Sequence, residues 1–195
     1  MIEFRGAGPA EFSERLDSVI DIYTAAMNPP PDQITGRKTI MRNHGTYPLF
    51  QCYFAELREA SPEEEEKRPS AQQPEIVGFA YGFRGAPGQW WHDVVFRALE
   101  DQAGREAAMA WLGHAFELAE IHVHPDYQGK GIGRAMIRTL CAGRQERSAV
   151  LSTHDRPTAA RHLYASMGFT DLLAQFVFPG GYEHYAIVGR PLPLA

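Results

Sequence analysis

Cysteine is scarce in this chain: Cys52 and Cys141 are the only two in 195 residues. They lie far apart and without metal-ligand spacing, which argues against a disulfide framework or a cysteine metal site. Two reduced thiols in a cytoplasmic protein are expected. An excess of basic charge is also missing, since 19 Lys and Arg against 24 Asp and Glu leave a formal net charge of −5. Wrapping nucleic acid needs a basic face, so no nucleic-acid partner is expected. No apolar run approaches the length of a membrane-spanning helix. The opening Met1-Ile2-Glu3-Phe4-Arg5-Gly6 lacks a basic start followed by an apolar stretch, so no signal peptide is expected. Nor is there an internal repeat. What is present is ordinary globular composition, 44% hydrophobic and 22% charged, in a length that suits one domain over residues 1–195.

Residues 2–5 alternate apolar and charged, as a short strand does. Phe12, Leu16, Val19, Ile20 and Tyr23 recur at helical spacing and predict one helix over 9–27. Pro9 suits its first turn, and Pro29-Pro30-Pro31 stops it. A second helix is expected over 32–43, with Ile34, Ile40 and Met41 as its apolar side. Strands over 49–57 and 75–84 should pair as a hairpin. Between them, 58–74 is rich in Glu, Pro, Gln and Ser and includes Glu63-Glu64-Glu65-Glu66. It reads as a solvated acidic loop, with an acidic lid for a cationic substrate as the functional alternative.

Residues 85–115 read as a helical insertion, with helices over 92–99 and 105–114 and with Trp90 and Trp91 as core anchors. Such an insertion is a place where substrate selectivity can sit. From residue 116 the expected order is strand 116–124, loop 125–133, helix 134–144, strand 149–153, helix 157–167 and strands 169–178 and 182–188. Gly168 closes the helix over 157–167. That order makes a mixed α/β domain with a parallel step at the strand-helix-strand unit.

The chemistry gathers at Gln128-Gly129-Lys130-Gly131-Ile132-Gly133-Arg134, where a strand feeds a glycine loop into a helix. Glycines let the backbone curl around an anion, and the helix start supplies N–H groups and a positive dipole end. Such a loop is a phosphate site, and Lys130 and Arg134 add positive charge near it. It is not a P-loop, which needs Gly-x-x-x-x-Gly-Lys-Ser/Thr. Nor is it a dinucleotide fingerprint, because position 134 is Arg and no Rossmann unit opens the chain. A plain glycine turn is the alternative.

Gln128-x-x-Gly131-x-Gly133 resembles the Gln/Arg-x-x-Gly-x-Gly/Ala signature of the GCN5-related N-acetyltransferase (GNAT) superfamily. The preceding Ile121-His122-Val123-His124-Pro125-Asp126-Tyr127 is similar to that family too, and Leu163-Tyr164-Ala165-Ser166-Met167-Gly168-Phe169 resembles its second common motif. The clear resemblance covers residues 116–170, and the first half fits by element order alone.

The resemblance implies a mixed, mostly antiparallel sheet with central splayed parallel strands, here 116–124 and 149–154, and flanking helices. It implies acetyl-CoA as co-substrate. The backbone of Ile121, His122 and Val123 would pair with the pantetheine arm as an added strand, and an N–H there would polarise the thioester carbonyl. Gln128 heads the signature, and the N–H groups of Gly129, Lys130, Gly131, Ile132, Gly133 and Arg134 would hold the pyrophosphate. Tyr164 matches the tyrosine that protonates the leaving CoA thiolate; its alternative is a helix tyrosine packed in the core.

A carboxylate on the strand often serves the family as base or amine anchor. Glu117 and Glu120 are both candidates, and Glu120 is preferred because it directly precedes the pantetheine-binding stretch. His122 can relay protons through water. His122 and His124 share a strand face with Glu120, but no third and fourth metal ligands are evident, so no metal is expected. His154 and Asp155 can line the acceptor pocket. Two positions depart from the family: Pro157 stands where an Asn commonly opens the second-motif helix, and Ser152 stands where some protein-acetylating relatives carry a glutamate base.

The expected reaction is direct attack of a primary amine, on a small molecule or peptide, at the acetyl thioester. The alternatives are an acyl-CoA-binding sensor module without catalysis, or an unrelated nucleotide-binding domain with the same loop. A homodimer through the aromatic C-terminal strands is a fold-level analogy.

Overall fold

The computed structural model describes residues 1–58 and 74–194. Among them, seven strands make one sheet: β1 (Ile2–Ala7), β2 (Gln51–Leu57), β3 (Glu75–Arg84), β4 (Ala115–Val123), β5 (Ser148–His154), β6 (Thr170–Phe176) and β7 (Tyr185–Pro191). Their order is β1-β2-β3-β4-β5-β7-β6. The helices are α1 (Pro9–Glu14), α2 (Leu16–Met27), α3 (Pro31–His44), α4 (Trp90–Ala103), α5 (Arg105–Leu112), α6 (Ile132–Cys141) and α7 (Ala159–Ser166), with a 3-10 turn at Pro125–Tyr127. Most of the expected acidic loop, residues 59–73, lies outside the described residues. No helix among the described residues is long and apolar enough to cross a membrane.

The sheet is mixed, as the element order predicts. β1 and β2 pair antiparallel, as do β5 with β7 and β6 with β7. β4 and β5 are parallel, joined through α6, with Ala115, Phe116 and Glu117 aligned to Ser148, Ala149 and Val150. β4 continues past that ladder to Val123. The chain packs as two compact units: Met1–Tyr81 with Glu120–Leu140, and Gly82–Ala119 with Cys141–Ala195.

The first unit has an aromatic core. Phe12 lies 4.9 Å from Phe50 and 5.0 Å from Tyr81 between ring centroids, and Phe54, Phe79 and Tyr81 are fully buried. The single helix expected over 9–27 is two, α1 and α2, broken at Arg15 with φ −92° and ψ 7°. No proline or glycine marks the break. Arg15 is instead committed to distant partners, 3.4 Å from the buried Glu56 carboxylate and 2.7 Å from the Pro74 carbonyl. Arg5 grips the same carboxylate with two hydrogen bonds of 2.9 and 2.7 Å. α2 ends at Asn28 in the left-handed conformation, and the prolines beyond forbid its continuation.

In the second unit, α4 and α5 fill the expected insertion. Val95, Leu99, Ala108 and Leu112 pack with Ala115 of β4, Val150 of β5, Leu173 of β6 and Ile187 of β7. Trp90 and Trp91 do not both anchor the core. Neighbours on a helix point about 100° apart, so one faces inward and the other outward. Trp91 packs against the cluster and donates its indole N–H to Ser152 Oγ at 3.3 Å. Trp90 is 58% exposed and stacks on Phe178. α7 also starts later than expected. Thr158 is its N-cap, accepting from the Arg161 N–H at 3.1 Å, so Pro157 precedes the helix rather than opening it.

Candidate active site

The glycine loop over residues 128–134 lies within the first unit. Gly129 and Gly131 adopt φ of 74° and 80°, the left-handed region that favours glycine. A Cβ built on either meets nothing within 4 Å, so the loop's outer side is open. Gln128 ties the loop back to β4, its amide donating to the Val123 carbonyl at 2.9 Å. Lys130 bonds the Asp126 carbonyl at 3.0 Å and lies 4.9 Å over the Tyr127 ring. α6 begins at Ile132, so Gly133 and Arg134 sit in its first turn, which carries no acidic residue. A helix start leaves its first N–H groups without intrahelical partners, and here nothing negative nearby on the helix competes for them. The residues present therefore fit an anionic phosphate group.

Upstream, Ile121, His122 and Val123 form the C-terminal end of β4. On its β3 side, the strand comes close enough that a Cβ on Gly78 would sit 3.1 Å from the His122 carbonyl. His124 closes this edge, its N–H bonding the Val77 carbonyl at 2.8 Å.

Glu120 and His122, two apart on one strand, project together. His122 Nε2 lies 2.6 Å from Glu120 Oε2, and Arg37 of α3 donates to Glu120 Oε1 at 3.0 Å. Only about a tenth of either β4 side chain is exposed, Glu120 at 10% and His122 at 11%. Burial works to raise the Glu120 carboxyl, but the His122 hydrogen bond and the electrostatic pull of His122, Arg37 and His44 outweigh it and hold it below the ordinary range. Glu120 is therefore ionised and can only accept, so His122 Nε2 carries the proton of that bond, and a neutral ring keeps its lone pair on Nδ1. The imidazole is fixed on its faces as well, 5.2 Å from Tyr23 edge-on and 5.4 Å from Phe79.

Two members of this cluster, Arg37 and His44, escape sequence reasoning. Arg37 stacks 5.2 Å over the Tyr23 ring. His44, at the end of α3, bonds the Tyr81 hydroxyl through Nδ1 at 2.9 Å. Burial pushes His44 below its ordinary range, with Glu120 opposing and Arg37 assisting, so it stands neutral at pH 7. The expected helix over 32–43 has mixed polarity, and nothing in its spacing singles out Arg37. His124 does not join His122. It accepts instead from the Asp126 N–H at 3.3 Å. Among the described residues, no three His, Cys, Asp or Glu side chains are grouped to hold a metal.

Tyr164 belongs to the second unit, on α7, and is 8% exposed. Its ring meets Phe169 edge-on at 5.9 Å. The helix ends at Gly168, φ 81°, where the Arg190 guanidinium bonds the Met167 carbonyl. Glu117 is also in that unit and buried. The Ser152 hydroxyl is engaged by Trp91. Of the two other residues considered for an acceptor pocket, His154 stacks on Tyr185 and pairs with Glu183. Asp155 accepts from the backbone and side chain of Gln175 and pairs with Arg161.

A family model described as an acetyltransferase (GNAT) domain matches residues 74–171. The chain is 34% identical, over 95% of its own length and 96% of the relative's, to a GCN5-like protein acetyltransferase of Mycobacterium tuberculosis. Among solved structures, it resembles a GNAT-family acetyltransferase of Desulfovibrio desulfuricans with a TM-score of 0.64 and 14% identity, covering 98% of this chain and 99% of that one. An acetyltransferase of Salmonella typhimurium, solved with acetyl-CoA, gives a TM-score of 0.59 and 17% identity, covering 99% and 95%. At such identities the likeness is one of fold.

Proposed function

Because the chain belongs to the GNAT acetyltransferases, we propose that it transfers the acetyl group of acetyl-CoA directly to the primary amine of a peptide. The whole chain serves as one catalytic domain. Acetyl-CoA is the co-substrate that goes with the family, and the observation that carries its placement is the open loop with left-handed Gly129 and Gly131 ahead of α6. The N–H groups of Gly129 to Arg134 take the pyrophosphate, and Ile121, His122 and Val123 pair with the pantetheine arm. A peptide is favoured over a small molecule because the relative at 34% identity is named a protein acetyltransferase.

In this reading the base is the His122 imidazole, with Glu120 as its positioning residue. Glu120 has both oxygens engaged and its carboxyl is held below the ordinary range, which makes it a poor proton acceptor for an amine. An imidazole nitrogen is better suited to the task. Nδ1 takes the proton from the amine, directly or through one water. The nitrogen then adds to the thioester carbon, the C–S bond breaks as Tyr164 gives its phenolic proton to the thiolate, and the second proton lost by the acylated nitrogen returns through solvent to the phenolate.

Acetyl-CoA binding by calorimetry tests the reading first, with Gly131→Glu placing a side chain and a negative charge in the loop. Binding to the wild type and its loss in the variant are expected. Tyr164→Phe and His122→Ala should each lower kcat about 100-fold or more while acetyl-CoA still binds. A wild type that binds acetyl-CoA but acetylates no peptide amine would instead be an acyl-CoA sensor, and one that does not bind it would sink the proposal.

A further inference from the structure

We propose that Arg37 is an anion-recognition residue, so that the preferred acceptor is a peptide with a carboxylate beside the amine that is acetylated. This rests on the acetyltransferase reading and deepens it.

The charge balance of the cluster comes first. Among the described residues, Glu120 carries the one negative charge on the groups facing His122, and the guanidinium of Arg37 offsets it at 3.0 Å. His44 adds no charge at neutral pH, because burial holds it neutral. Among the described residues of this cluster no surplus negative charge remains to hold a cationic acceptor, and an ammonium group seeking Glu120 would have to displace Arg37. The cluster by itself thus gives no anchor to polyamines and strongly basic peptides.

The state of Arg37 comes second. Its side chain is 38% exposed, whereas that of Glu120 is 10% exposed. Guanidinium has five N–H donors in a planar fork. Nη1 serves Glu120, and Tyr23 both takes a side-chain hydrogen bond from the guanidinium and lies under it, 5.2 Å from its carbon to the ring centroid. The rest of the fork is available to a ligand. A guanidinium fixed on one edge by a carboxylate and on one face by a ring loses little further freedom when it binds. Its natural counterpart is a second carboxylate, taken by charge-assisted hydrogen bonds.

Position comes third. Arg37 and His122 bind the two oxygens of a single carboxylate, Oε1 and Oε2 of Glu120. The separation between the anion site and the base is therefore fixed by the width of that one group. An amine directed at His122 Nδ1 places a neighbouring acidic side chain within reach of the guanidinium.

The test uses short peptides identical except for Glu, Gln or Lys next to the reactive amine. Their binding to the CoA-loaded protein is measured by calorimetry and their turnover by thiol release. The Glu peptide should bind about tenfold tighter than the Gln peptide, the magnitude of one charge-assisted hydrogen bond, and the Lys peptide weakest. Arg37→Ala should erase the Glu-over-Gln difference, mainly through KM, and Arg37→Lys should keep part of it. Equal binding of the three peptides, preference for Lys, no binding of any, or a Glu preference that survives in Arg37→Ala would each overturn the proposal. A fall in kcat for all peptides alike, without a change in charge preference, would reduce Arg37 to a brace for Glu120. Loss of acetyl-CoA binding, read separately, would strike the acetyltransferase reading itself.

Discussion

Glu56 sits at 0% exposure near the C-terminal end of β2, with Arg5 on both of its oxygens and Arg15 on one. The desolvation of such a carboxylate is tolerable only while its cations stay in place. Arg15 shows the strain of the arrangement: burial lowers its pKa, the more so with Arg5 alongside, while Glu56 works to raise it. Glu56→Ala leaves two arginines facing a void. It should lower unfolding free energy by about 3 to 5 kcal/mol, measured by urea denaturation, whereas loss of the exposed Arg105–Glu100 pair should cost less than about 1 kcal/mol. Glu120 differs in kind. It too is held by cations, but it meets a histidine whose second nitrogen is left to act. The same residue type thus braces the fold on one strand and orients a ring on another.

Among the elements, β3 is set by what its neighbour allows. A Cβ on Gly82 would lie 2.3 Å from the Glu117 carbonyl and 2.5 Å from the Phe116 ring, backbone and core that cannot yield. Gly82→Ala should therefore lower the melting temperature, by overpacking worth about 1 to 3 kcal/mol or more, and thermal unfolding followed by circular dichroism would show it. Residues 75–84 read as a strand from their apolar pattern, but nothing in that pattern tells which glycine is a close approach and which is a spare. The left-handed turns at 128–134 were legible for the opposite reason: glycines at fixed spacing before a helix write a backbone conformation into the sequence. The split of the first long helix was not legible, since Arg15 is a good helix former and its reason for breaking lies across the fold at Glu56 and Pro74. The same holds for Arg37. Its meaning comes from β4, and no local spacing announces a partner 83 residues away.

For the whole molecule, the thiols govern behaviour in alkali. Cys52 and Cys141 are free and buried. Burial pushes the Cys141 thiol up to about 12, with Arg144 and Arg190 pulling the other way, and burial raises Cys52 as well. A thiol that ionises later folded than unfolded contributes stability below the unfolded range, near 8.5, and loses it as pH climbs toward the folded value. Unfolding free energy should thus decline between about pH 9 and pH 12. At pH 8 neither thiol should label with a maleimide until denaturant is added, and rapid labelling of the native protein would contradict the burial.

The tryptophans are distributed unevenly. All three, Trp90, Trp91 and Trp111, belong to the unit of Gly82–Ala119 and Cys141–Ala195. None lies in the unit that carries Glu120, His122 and the glycine loop. Excited at the red edge of its absorption band, where tyrosine is dark, the protein therefore emits from one unit alone. Circular dichroism sees both, so the molecule carries its own reporter for whether its two halves melt as one.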